Sequence, residues 1–222
     1  MELLVHHHMG IGDHIALNGL VHTLLEDGNC SKLYLFCKER YRRMFRDLYP
    51  DERLVLIGVP DDNEMAFVNA YSKSKPNIPL LRIGFDKYIP KEGVTCDQEF
   101  YALAHVPYEN RFTRFRMRRD QEQEERVYRK LNPNNEEYIF VHDDPSRGYS
   151  ININTPYKII RNDPTESVFH YGLVIERAKE FHCIESCFRC LAETLNTEFV
   201  RLVHHNSVRK NIISSQKNWE TR

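Results

Sequence analysis

The chain begins with the apolar stretch Leu3-Leu4-Val5, runs through three histidines into Gly10-Ile11-Gly12-Asp13, and passes at once into helical spacing. Leu17, Leu20, Val21, Leu24 and Leu25 then recur on one face until Asp27-Gly28-Asn29 stops the helix. No other segment constrains the fold as tightly. A buried strand, a two-glycine turn and a helix make the first half of a βαβ unit, which closes only through a right-handed crossover to a parallel strand. Residues 32–37, alternating around Leu33 and Leu35, supply that strand. The glycines let the backbone turn sharply and leave room for a ligand. The turn lies at the carboxyl end of its strand, where open α/β sheets hold their ligands.

The alternation continues. Tyr41, Met44, Phe45 and Leu48 form a helical face closed by Pro50, and a strand follows over 54–59. The pattern then predicts a helix over 63–71, a short strand over 80–85 and a helical piece over 100–105. A charged helix at 122–131 ends in Asn132-Pro133-Asn134-Asn135 and marks a domain boundary. A second series follows: a strand at 138–142, a polar loop at 143–148, and strands at 150–154 and 157–161. Beyond them come a helix at 171–178, a strand at 181–184, a helix opening at Glu185-Ser186 and a last strand at 199–203. The expected fold class is α/β, with two Rossmann-like parallel-sheet domains over 1–120 and 121–222.

Composition narrows the partners. A net charge of -1 argues against a polyanion binding the whole surface, and the basic run 111–119 is offset by the acids of 120–125. Nucleic acid is not an expected partner. No apolar run approaches the ~20 residues of a spanning helix, and Leu3–Val5 is too short for the core of a signal peptide. Six cysteines without a secretory signal point to reduced thiols and a cytoplasmic protein. Cys183, Cys187 and Cys190 with His182 invite a zinc reading, but their spacing suits helix packing equally well. His6, His7 and His8 alternate across a strand and cannot converge on one ion. No metal is expected. A dinucleotide cofactor is not expected either: the first turn lacks the third glycine, and Cys37 and Lys38 end the second strand where an acid belongs.

The Gly10-Ile11-Gly12-Asp13 turn, the polar segment 141–148 and the late turn His182-Cys183-Ile184-Glu185-Ser186-Cys187 together resemble the GT-B glycosyltransferases. They are most similar to the ADP-heptose:lipopolysaccharide heptosyltransferase-like group. Cys187 and Phe188 stand where that group has a glycine and a histidine. The resemblance implies two domains facing a cleft, in a compact version. It implies a metal-independent, inverting transfer from a nucleotide-sugar to a hydroxyl of a glycan or glycoconjugate, with the acceptor on the first domain and the donor on the second. Asp13 then matches the base that takes the acceptor proton, with His14 behind it, and Gly10 and Gly12 make room for the ligand.

Arg147 stands where a guanidinium would stabilise the departing diphosphate; Lys158 and Arg161 are weaker candidates for that role. Ser186 is placed to bond a phosphate oxygen and Glu185 a ribose or sugar hydroxyl. Plainer roles remain open beside these: helix capping for Asp13 and for Glu185-Ser186, and a surface turn for Arg147; His204-His205 after the last strand could flank the nucleotide but read more simply as a surface loop. The alternative function is a non-catalytic nucleotide- or glycan-binding module of the same fold.

Overall fold

Leu4 and Val5 have no exposed surface, because β1 (Glu2–His6) runs between two parallel neighbours. A strand covered on both faces reads as an unbroken apolar run, not as an alternation. This computed structural model describes residues 1–85, 91–210 and 212–222. The chain divides into two units, Met1–Arg118 and Arg119–Arg222.

In the first unit, β1 is followed by α1 (Ile11–Ala16), α2 (Asn18–Glu26), β2 (Lys32–Lys38), α3 (Phe45–Leu48) and β3 (Leu54–Val59). Then come α4 (Glu64–Lys73), β4 (Leu80–Arg82), α5 (Cys96–Leu103) and α6 (Asn110–Thr113). The strands form one parallel sheet in the order β3-β2-β1-β4. The first helix, expected as one, is two. It breaks at Leu17 (φ -97°, ψ 4°), and buried Tyr101 occupies the break. The Tyr101 hydroxyl donates to Ala16 O at 3.2 Å and accepts from Leu20 N at 2.9 Å, so the backbone groups freed there stay satisfied. Gly19, just beyond, lies so close to Asn110 O of α6 that a side-chain carbon would collide with it. The helix expected over 100–105 begins earlier, at Cys96, where Thr95 and Gln98 form a capping box.

In the second unit, α7 (Gln121–Leu131) leads to β5 (Tyr138–His142), β6 (Lys158–Arg161) and α8 (Gly172–Glu176). β7 (Glu180–Cys183), α9 (Cys187–Ala192), β8 (Arg201–His204) and β9 (Trp219–Thr221) complete it. All five strands are parallel, in the order β6-β5-β7-β8-β9. α7, α8 and α9 pack together as one layer.

A cluster of Ile139, Val141 and Ile184 packs instead against Tyr149, Ile151, Ile153 and Val208, none of which lies in a helix or strand. This corrects the strand expected over 150–154. Its alternation comes from side chains laid on the sheet, while its backbone bonds to side chains: Ile151 N donates to Asp143 Oδ2 at 2.8 Å, and Arg161 Nη2 donates to Ile151 O at 3.1 Å. β9 was not expected. It has three residues and an exposed Glu220 at its centre, so it carries no apolar pattern to read.

Candidate functional site

Each sheet reverses its order of addition once. In the first unit the chain builds outward from β1 to β3 and then returns to place β4 on the other side of β1. In the second it places β6 on one side of β5 and β7 on the other. A crevice opens outside the carboxyl ends of the strands at such a switch point, because the flanking connections leave in opposite directions. The segments beside it are Met9–Asp13 and Gly84-Phe85 in the first unit, and the loop after His142 and the turn after Cys183 in the second.

At the first of these ends a pocket of about 420 Å³ opens. His8, Met9 and Gly10 line it after β1, Lys38 at the end of β2 with Arg40 and Tyr41 beyond it, Glu64 at the start of α4, and Phe85 after β4. Asp13 stands at its Gly10 edge. A side-chain carbon on Gly10 would lie 2.5 Å from Asp13 Oδ2, so only glycine lets the carboxylate settle over that turn. Asp13 is the third residue of α1, and Gly10 is the N-cap. Burial pushes the Asp13 carboxyl up to about 6, and hydrogen bonds from the backbone amides of Asp13 and Gly10 oppose the shift only in part. The carboxyl therefore reaches back onto the helix entry and is also poised to exchange a proton near neutrality.

His14 turns the other way. It has no exposed surface, its Nδ1 lies 3.1 Å from the Tyr49 hydroxyl, and its ring packs against His7 and Phe45. The Tyr49 hydroxyl donates to His14 O at 3.0 Å, so the imidazole is left to donate from Nδ1. Burial holds its pKa well below the ordinary value. The geometry makes His14 a neutral core residue and separates it from the pocket that Gly10 lines. His7 is equally buried, while His8 lines the pocket and accepts from Phe85 N at 3.3 Å.

In the second unit, Arg147 closes a short 3-10 turn after β5. It is 59% exposed, lies 3.7 Å from Asp144, and sits over the Tyr149 ring at 5.6 Å. Arg209 stacks on the same ring at 5.6 Å and donates to Glu185 O at 2.6 Å. Arg209 was not legible in the sequence, because it lies in an irregular segment without periodicity. Arg161, at the carboxyl end of β6, is engaged by Asp143 at 2.6 Å.

Lys158 is not brought to this end. It pairs in register with Tyr138, the first residue of β5, and bonds Glu136 and Asn132 at the amino edge of the sheet. Glu185 is buried and bonded to Arg189 Nη1 at 3.0 Å, and Arg189 also donates to Ile213 O at 3.0 Å. Ser186 is the N-cap of α9 but makes no side-chain capping bond, and its buried hydroxyl has no hydrogen-bond partner among the described residues. Burial pushes the Cys187 thiol up to about 11, with the backbone amides of Cys187 and Phe188 opposing the shift only in part. His204 and His205, expected on the surface, are buried. His205 Nε2 meets His182 Nδ1 at 3.0 Å, and His182 Nε2 meets Glu180 at 2.7 Å.

Among the described residues, no three His, Cys, Asp or Glu side chains converge as a cation site. No helix among them is long and apolar enough to cross a membrane.

No protein-family model matches the chain, and no curated protein matches its sequence. Solved structures do match its fold. The glycosyl transferase family 9 protein from Veillonella parvula DSM 2008 superposes with a TM-score of 0.64 at 7% identity, over 100% of this chain and 86% of its own. The ADP-heptose LPS heptosyltransferase II of E. coli gives 0.62 at 11% identity, over 100% and 90%. The E. coli heptosyltransferase WaaC, solved with ADP, gives 0.54 at 11% identity, over 100% and 92%. The two parallel-sheet α/β units of this chain therefore have the GT-B-like fold of these glycosyltransferases.

Proposed function

We propose that the chain is a glycosyltransferase that moves a sugar from a nucleoside-diphosphate donor to a hydroxyl of a glycan or glycoconjugate, without a metal and with inversion. One observation carries this reading: a carboxylate with its pKa near 6 stands over the Gly10 turn, at the switch point of a parallel sheet and beside a sugar-sized pocket. Asp13 takes the proton of the acceptor hydroxyl as that oxygen bonds to the anomeric carbon. The bond from that carbon to the diphosphate breaks, and the electron pair leaves with the phosphate. Arg147, exposed at the corresponding end of the second unit, stabilises the charge that develops there. The likeness to solved glycosyltransferases supports the class of reaction, and the ADP of one neighbour supports a nucleoside diphosphate as the donor group.

A second reading, a nucleotide- or glycan-binding module without turnover, is favoured by the second unit. There the Glu185 carboxylate is buried and bonded to Arg189, and Cys187 and Phe188 stand where the resembling group has a glycine and a histidine. Asp13→Ala separates the two readings. A nucleotide at ~100 times its Kd stabilises the fold by about 2.7 kcal/mol, a shift readable by thermal unfolding. In the enzyme, Asp13→Ala keeps that shift and lowers transfer at least ~100-fold, as expected for loss of a positioned base. Transfer unchanged by Asp13→Ala would remove Asp13 from the reaction; nucleotide binding with no transfer by the wild-type chain would favour the binding module.

A further inference from the structure

Among the described residues, two cations line the pocket of the first unit, Lys38 and Arg40, and each is already engaged by a carboxylate. Lys38 Nζ lies 2.9 Å from Glu64 Oε2 and 3.9 Å from Asp61 Oδ1. Arg40 Nη1 donates to Asp61 Oδ2 at 2.9 Å. The other Glu64 oxygen meets His6 Nε2 at 3.1 Å, and burial keeps that imidazole below its ordinary pKa, so it adds no positive charge near neutrality. Each of these cations thus already has a carboxylate partner, and the Glu64 carboxylate and the Lys38 ammonium stand side by side.

The rest of the lining is apolar or aromatic. Phe85 stacks on His6 at 4.4 Å and packs against His8 at 4.8 Å. Its backbone is left-handed (φ 58°), directly after a left-handed Gly84 (φ 84°). A non-glycine residue rarely adopts that conformation unless its surroundings impose it, and such strain collects at ligand sites. Tyr41 and Met9 lie on the same pocket, and Arg40 covers the Tyr41 ring at 4.8 Å.

A sugar hydroxyl both donates and accepts, so one hydroxyl satisfies Glu64 and Lys38 together without parting them. The C–H face of a pyranose ring suits an aromatic and methionine lining. A carboxylate or phosphate would meet the Glu64 charge and would have to draw Lys38 or Arg40 away from an existing partner. We propose that this pocket is an acceptor subsite for an uncharged sugar, with Glu64 and Lys38 reading its hydroxyls and Phe85 its ring face, and that it discriminates against sugar acids and sugar phosphates. The inference rests on the reading of Asp13, at the Gly10 edge of the same pocket, as the base that serves the acceptor.

The test is saturation-transfer NMR on the full chain with methyl hexopyranosides and heptopyranosides, each paired with its uronate and its phosphate ester. The neutral glycosides should bind at least ten-fold more tightly than their charged counterparts. Glu64→Gln should weaken them five-fold or more and narrow that preference, and Phe85→Leu should remove the signals of the ring protons. A uronate or phosphate that binds as tightly as its neutral parent overturns the proposal, and so does the absence of binding by every neutral glycoside. Transfer to a charged acceptor that is lost in Asp13→Ala would overturn this inference and leave the glycosyltransferase reading standing. Neutral sugars bound without any transfer would do the reverse.

Discussion

Asp13 carries two roles that pull in opposite directions, and its ionisation separates them. A carboxylate that reaches back to the amide of the N-cap stabilises a helix start. A carboxylate raised to about 6 by burial costs stability when ionised. The sign follows from linkage. Between its unfolded value of 3.8 and its folded value of about 6, the native chain holds the proton more tightly, so this group makes stability fall as pH rises through that window. Asp13→Asn keeps the shape and cannot ionise. It should therefore stabilise the protein by about 2 kcal/mol at pH 7.5, with the gain shrinking toward zero near pH 4. Urea unfolding of the two proteins side by side reads this difference, and a variant less stable than the parent at pH 7.5 would mean the carboxylate serves the helix alone. The same ionisation should shape turnover: the rate of transfer climbs tenfold per pH unit up to about 6 and then levels.

At the scale of elements, Glu185 and Arg189 show why the turn before α9 could not be read fully from sequence. An acid and a serine before a helix have the same spacing whether they meet a ligand or hold the helix in place. Here the carboxylate and the guanidinium are both buried, and Arg189 joins α9 to the segment at Ile213 as well. Removing one partner of a buried pair strands the other charge, so Glu185→Ala should cost about 3 kcal/mol. Its nucleotide affinity should stay within about threefold of the parent if the pair acts only in packing; a stable variant that binds nucleotide tenfold more weakly would return Glu185 to the ligand. Legibility elsewhere follows the same logic. β1 and β5 were visible because buried parallel strands are apolar runs, β2 by its alternation around Leu33 and Leu35, and the Gly10–Asp13 turn because its glycines and acid are contiguous. The strand pattern at 150–154 misled because a loop laid on a sheet alternates as a strand does, whereas β9 and the break at Leu17 left no pattern. The pocket escaped because Lys38, Glu64 and Phe85 come from four separate connections together with Gly10, and only the strand order β3-β2-β1-β4 joins them.

Across the whole molecule, each unit buries its own neutral histidines. His7 in the first unit, and His204 and His205 in the second, are held down to about 4, chiefly by burial, and His14 lies well below its ordinary value for the same reason. His205 and His182 share a hydrogen bond, so charging both would set two cations against each other within 3.0 Å. The sign is opposite to that of Asp13. The unfolded chain takes up these protons near 6.5 and the folded chain only near 4, so their contribution is complete above pH 6.5 and is lost as pH falls toward 4. Each such histidine is worth about 2–3 kcal/mol across that window, against about 5–15 kcal/mol for a whole domain. Moving from pH 7.5 to pH 5 should therefore remove at least about 3 kcal/mol of unfolding free energy, outweighing the smaller gain from protonating Asp13. Trp219, the one tryptophan, packs near His204 and reports the second unit by fluorescence, while far-UV circular dichroism follows both. Urea curves that coincide at pH 7.5 and pH 5 would show that these imidazoles find water or a partner in the folded state. A loss seen by circular dichroism with unchanged fluorescence would place the acid-sensitive histidines in the first unit, where His7 and His14 lie directly beneath the turn that holds Asp13.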